Sequence, residues 1–233
     1  MLLAVTTNCL EYRHKSWHYR VWGAKALAKM GRRDEAIQYA QDSKGLNEPL
    51  MAIAEFCEGA LLDAGFVEEA YARDAMDATN ATTNLTTFKA AAKKYPGIPK
   101  KTILRDLVAS QPGQEGKWFA AAKDAGLFEL SIELANRSQT DPRTLIRAAR
   151  DFAVKQPAFS MAASMTALTG IMRGYGYDIT GIDVLDAYAT VMLAAGAMGM
   201  DEATVKENVR AAITASGVGS LFVQRVLAHQ LAM

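Results

Sequence analysis

Apolar residues recur along this chain at intervals of three and four, the spacing that gathers one side of an α-helix. No stretch alternates apolar and polar residues at every second position, as a half-buried strand would. Alanine, the strongest helix former, is abundant in the same stretches. The pattern predicts an all-α fold of about a dozen helices.

Helix borders are written in specific chemistry. Asn47 with Pro49, Asp141 with Pro142, and Asp201 after Gly199 each place a capping side chain ahead of a helix. Thr180 with Asp183 three residues on has the form of a capping box. Gly31, Gly65 and Gly126 each follow an alanine-rich helix, where a left-handed residue is wanted.

Those three glycines open a repeated phrase. Gly31 is followed by Asp34 and Ala36, Gly65 by Glu68 and Ala70, and Gly126 by Glu129 and Ser131. Glycine ends one helix, an acid three residues on complements the dipole of the next, and a small residue five on lets two helices touch. With Ala24 and Leu27 before Gly31, and Leu61 before Gly65, the phrase resembles the tetratricopeptide repeat family in degenerate form over roughly residues 18 to 155. Departures are Ala40 where that family prefers a large aromatic, Glu58 at a small-residue position, and Ser131 for alanine. The stretches 116–123 and 147–151 also look like those of uncharacterised bacterial helical-repeat proteins. The resemblance implies a helix-pair solenoid, placed over residues 1–156, with a concave protein-binding surface. It does not extend into residues 157–233, which hold few charges and are expected to form a compact hydrophobic helical portion, either separate from the solenoid or continuous with it. A soft boundary falls at Gln156-Pro157, because the residue before proline is pushed out of the helical region.

Composition narrows the class. With 233 residues, half of them hydrophobic, the chain can bury a sizeable core, which excludes a disordered protein. The longest uncharged apolar run, residues 187–200, is shorter than the roughly 18 to 20 residues a membrane span needs. Met1-Leu2-Leu3-Ala4-Val5 lacks a basic leader, and two cysteines make no disulfide framework, so a cytoplasmic location is expected. The net charge of +1 conceals a division: −3 over residues 1–88, +6 over 89–156 and −2 over 157–233.

Candidate chemistry is sparse. Glu11, His14 and His18 share a helix face, but Lys15 stands where a zinc peptidase has glutamate, and two histidines fall short of a metal ligand set. Cys57 reads as a small buried hydrophobe, its thiol pKa raised by nearby carboxylates, and Cys9 has only His14 close by in sequence. Gly170 to Asp178 is glycine-rich but lies between helices, where a phosphate loop would follow a strand, and its Tyr175 and Tyr177 are candidate partner contacts. No cofactor motif emerges.

Arg143, Arg147 and Arg150 fall at i, i+4 and i+7, one stripe of a helix whose other side holds Leu145, Ala148, Ala149 and Phe152. Lys93, Lys94, Lys100 and Lys101 flank a proline-glycine turn. Met161, Met165, Leu168 and Met172 recur on one face and read as core. The last helix, Ser220 to Met233, is apolar enough to need cover from its own domain or from a second subunit. The expectation is a non-enzymatic interaction or scaffold module, with Lys117, Trp118, Arg143, Arg147 and Arg150 as partner anchors. The partner is another protein, acidic by charge; nucleic-acid binding by residues 89–156 and a helical enzyme with a site at the seam of the two portions remain as alternatives.

Overall fold

In the computed structural model, residues 16–45 and 47–232 are described, and among them every regular element is helical. None of these helices is long and apolar enough to cross a membrane. The chain divides into two compact units, Met1–Ser110 and Gln111–Met233.

In the first unit, α1 (Trp17–Lys29) and α2 (Arg33–Gln41) form a hairpin, and α3 (Leu50–Asp63) packs on α2. Next come α4 (Val67–Arg73), α5 (Ala75–Ala78), α6 (Asn84–Lys94) and α7 (Lys100–Ala109), with α4 and α5 against α3 and α6 against α7. Glu48 caps α1 from the α2–α3 connection: its carboxylate accepts from the Trp17 N–H at 2.8 Å and from the Ser16 hydroxyl at 3.3 Å. The Asn47 cap expected for α3 is not made, because that helix starts later, behind Pro49, with no side-chain cap.

The second unit opens with a 3₁₀ turn (Glu115–Trp118) and continues through α8 (Phe119–Asp124), α9 (Phe128–Arg137), α10 (Pro142–Phe152), α11 (Pro157–Met172) and α12 (Gly181–Ala197). It ends with α13 (Glu202–Ala215), a second 3₁₀ turn (Gly217–Ser220) and α14 (Leu221–Leu231). One apolar core runs through the unit, with Phe119, Phe128, Phe152 and Phe159 clustered at one end and Leu168, Val191 and Leu227 farther along. Small residues at Ala163, Ser164, Ala167 and Gly170 are buried on α11, which packs closely on α10 and α12. Met172 is buried and Met161 and Met165 pack against the core, so the methionine stripe is interior.

Gln156-Pro157 lies inside this second unit. Proline does stop a helix there, but Ser160, one turn into α11, donates to the Ala149 carbonyl of α10 at 2.7 Å. The break is a turn between two packed helices, and the compact units meet at residues 110 and 111.

The glycine phrase has one conformation in all three places. Gly31, Gly65 and Gly126 have φ of 75°, 81° and 75°, a region that strains any residue with a Cβ. In each, the following N–H (Arg32, Phe66, Leu127) reaches back to the carbonyl five residues earlier (Leu27, Leu61, Ala122), closing the helix end. The next helix begins two residues after the glycine, and Ala36, Ala70 and Ser131 are fully buried. Asp141, Thr180 with Asp183, and Asp201 all form the caps expected of them.

Candidate anion-binding surface

The strongest concentration of charge is the α6–α7 hairpin. Thr83 and Thr86 form a capping box that starts α6. Phe88, Ala91, Ile103, Leu104 and Leu107 bury one side of the pair, which turns the lysines outward. Lys89 and Lys93 are one turn apart on α6, Lys101 and Arg105 one turn apart on α7, and Lys100 opens α7. All five are exposed. Lys93, Lys100, Lys101 and Arg105 form no ion pair among the described residues.

A buried acid holds this hairpin to the rest of its unit. Glu58 of α3 is only 1% exposed, and its carboxylate accepts from the Tyr95 hydroxyl at 2.5 Å and from Lys94 Nζ at 2.7 Å. Tyr95 sits at the α6 C-terminus with its ring fully buried, edge-on to Tyr71 at 5.1 Å between centroids. Tyr71 in turn donates to Asp106 of α7 at 2.6 Å. Burial first, and the accepting carboxylates second, push both phenols well above the usual tyrosine range, so they stay protonated and donate. Lys94 is thereby neutralised, while the remaining cations of the hairpin stay in solvent.

Nearby, burial raises the Asp74 carboxyl, whose Oδ2 has no hydrogen-bond partner among the described residues, and pushes the Cys57 thiol up to about 11. For Cys57 the main cause is desolvation, with Asp74 second; the carboxylates of its own helix, expected to raise it, are not among the causes. The thiol is fully buried and inert as a nucleophile.

The anchors expected in the second unit meet different fates. Arg143, Arg147 and Arg150 do lie exposed on one side of α10, with Leu145, Ala148 and Ala149 buried opposite. Arg143, however, is a latch: Nε and Nη2 donate to the two Asp183 oxygens at 2.9 and 3.0 Å, and Nη2 also donates to the Asp178 carbonyl at 2.6 Å. That guanidinium holds Asp183 down to a pKa of about 2. Arg147 leans on Arg143 O and Thr144 Oγ1, and of the three only Arg150 points out without a partner among the described residues.

Lys117 is exposed, but Trp118 is completely buried at the end of the 3₁₀ turn and cannot anchor a partner. The large ring beside Phe119 belongs to the interior, where the apolar side of the next helix continues. Of the two tyrosines in the glycine-rich connection, Tyr177 is 86% exposed. Tyr175 is half-buried and lies over Gly170, so it is a packing residue. Glu11, His14 and Cys9 lie outside the described residues; His18 is exposed on α1. Among the described residues no three His, Cys, Asp or Glu side chains gather as metal ligands would.

No protein-family model, curated protein or solved structure matches this chain. The reading of the site therefore rests on its own geometry.

That geometry redistributes the basic centre. Residues 89–110, in the first unit, hold six basic and one acidic side chain; residues 111–156, in the second, hold seven and six. Nearly all of the excess is on α6 and α7. The four flanking lysines are legible in sequence; Lys89, Arg105 and the burial of Glu58 are not marked by any periodicity as clean as that of the arginine stripe. The available signal was the local charge sum between the two turns.

Proposed function

We propose that this protein is a non-enzymatic helical interaction module whose first unit docks an acidic protein surface through the α6–α7 hairpin. The observation that carries this reading is the set of exposed cations on α6 and α7, four of them without an ion pair among the described residues, above an anchored and apolar base. Helices fixed from within present charge at a set spacing, which lowers the ordering cost of docking. The three congruent glycine turns support a degenerate, tetratricopeptide-like helix-pair arrangement as the scaffold.

A protein partner is favoured over nucleic acid by two features. The hairpin shows no exposed aromatic ring on which a base could stack, since Tyr95 is buried. The unit as a whole carries 15 basic and 13 acidic side chains, a weak field for a polyphosphate. A non-enzymatic role is supported by the way the titratable cluster around Glu58 is used: each of its hydrogen bonds joins one helix of the unit to another.

Fluorescence anisotropy of the full chain with a labelled polyglutamate peptide tests this. Binding that weakens with added salt is expected, and the triple variant Lys93→Glu, Lys101→Glu, Arg105→Glu loses at least about tenfold in affinity. The variant Arg147→Glu, Arg150→Glu retains it. Loss in the arginine variant with retention in the hairpin variant overturns the assignment, as does tighter binding of a DNA duplex than of the peptide at equal salt.

A further inference from the structure

Between α4 and α5 the chain turns an acid inward. Asp74 is 3% exposed, and its Oδ2 makes no hydrogen bond among the described residues, although acids are seldom buried without a partner. Its backbone is satisfied: the N–H donates to the Ala70 carbonyl at 3.1 Å, and its own carbonyl accepts from the Ala78 N–H at 2.8 Å. An acid ahead of a helix commonly caps it, but Asp74 gives α5 no side-chain cap. The orphaned oxygen belongs to the interior.

The surrounding groups do not supply the missing partner. From α3 come Cys57 and the Glu58 carboxyl, from the α6 C-terminus Tyr95, and from the α2–α3 connection Lys44, while Arg73 and Asp77 flank the acid on its own segment. Tyr95 donates to Glu58, and Arg73 is paired with Glu69 at 2.6 Å. Neither Arg73 nor Lys44 forms an ion pair with Asp74 among the described residues. Loss of water around the carboxyl therefore favours its neutral form; Arg73 and Lys44 oppose this, and Glu58 and Asp77 add to it. Cys57 and Tyr95 are themselves pushed up, so both keep their protons through neutral pH.

Little else holds the segment in place. Besides Asp74, the buried side chains of α4 and α5 are Ala70, Ala75 and Ala78; Val67 is exposed, and Tyr71 and Met76 are half-buried. A buried methyl contributes far less than a buried leucine or phenylalanine. Thr79, just past α5, also buries its hydroxyl with no partner among the described residues. We propose that Asp74 is a proton switch for this segment: with the carboxyl neutral, α4 and α5 stay seated on α3, and ionisation draws the side chain into water and lets them open.

The direction follows from linkage. An open segment releases the proton at the ordinary carboxyl value of 3.8, and the closed one holds it to higher pH. The seating is complete below that value and is lost as pH rises through the closed-form value, with opening favoured by up to about tenfold per pH unit in between.

Hydrogen exchange of the full chain from pH 4 to pH 8, with each rate divided by its intrinsic value at that pH, tests the switch. Protection over residues 67–78 falls as pH rises, by up to about tenfold per pH unit until the closed form has ionised, while α11 keeps its own. Asp74→Asn and Asp74→Ala each abolish the slope. The slope and not the level of protection is compared, so a cost of the new side chain does not enter. Asp77→Asn, an exposed neighbour on the same segment, keeps the slope. A flat profile in the parent chain overturns the inference. So does a slope that survives in either Asp74 variant, or one that Asp77→Asn removes.

Discussion

The two units place their charges at opposite depths. Met1–Ser110 sinks a carboxylate, Glu58, into its interior and ties it to Tyr95 and Lys94, so that polar contacts join α3 to α6. Gln111–Met233 keeps its interior mostly hydrocarbon, from the Phe119–Phe159 ring cluster to Leu227, and puts a bidentate ion pair, Arg143 to Asp183, at the rim. The difference decides which cations are available to a partner. Where the anchoring acid is buried, it consumes one lysine and leaves the others on the hairpin in solvent. Where the anchoring acid lies at the rim, it occupies the arginine that heads the exposed stripe. Periodicity alone does not separate these cases, because both sets of cations sit at helical spacing on an outward face.

If the units are held by different forces, a deletion in the apolar one has the largest effect. Phe159 is 6% exposed and contacts the rings of Phe119, Phe128 and Phe152. Phe159→Ala removes a ring from a packed core and costs about 4 kcal/mol. Hydrogen exchange followed by mass spectrometry reads this as lost protection over α10 to α12, with the α3 and α7 peptides unchanged. Equal loss in both sets of peptides breaks the comparison, since the units would then share one cooperative core.

Much of the fold was legible because its determinants are local. A glycine after a helix, an acid in the next first turn and a small residue five on are read within six positions, and all three examples fold alike. The caps at Asp141, Thr180 and Asp201 are legible for the same reason. What stayed hidden depends on residues distant in sequence. Glu58 meets Tyr95 across 37 positions and Arg143 meets Asp183 across 40, so neither the buried acid nor the latched arginine announces itself. Glu58 stood out only as a charged residue at a small-residue position of the repeat. The unit border was obscured by the proline at 157, a stronger local signal than anything near residue 110. The burial of Trp118 was obscured by the lysine and glycine beside it.

Glu58→Ala gives the next largest effect and falls in the other unit. It leaves the Tyr95 hydroxyl buried without an acceptor and Lys94 without its counter-ion, at a cost of about 3 kcal/mol. Exchange protection falls over α3 and α6 while α11 keeps its own. Glu58→Gln, which retains an acceptor for Tyr95, recovers part of the loss. If Glu58→Ala is neutral, the first unit is held by its apolar contacts after all, and the contrast with the second unit disappears.

The smallest effect concerns the rim latch, and pH exposes it. The Arg143 guanidinium lowers Asp183 from an ordinary value of 3.8 to about 2 in the folded chain, helped by the N–H and hydroxyl of Thr180. A carboxyl whose folded pKa is depressed contributes stability that is fully present above its unfolded pKa and is lost as pH falls through the folded one. The latch therefore acts at neutral pH, weakens below about pH 4 and is lost as pH falls through about 2. Asp183→Asn removes the charge and weakens both the latch and the α12 cap, so at neutral pH the variant melts below the parent. The gap between the two melting temperatures narrows as pH is lowered across that window, because protonation brings the parent to the variant's state. A gap that stays constant down to pH 2 would mean that Asp183 acts only through neutral hydrogen bonds.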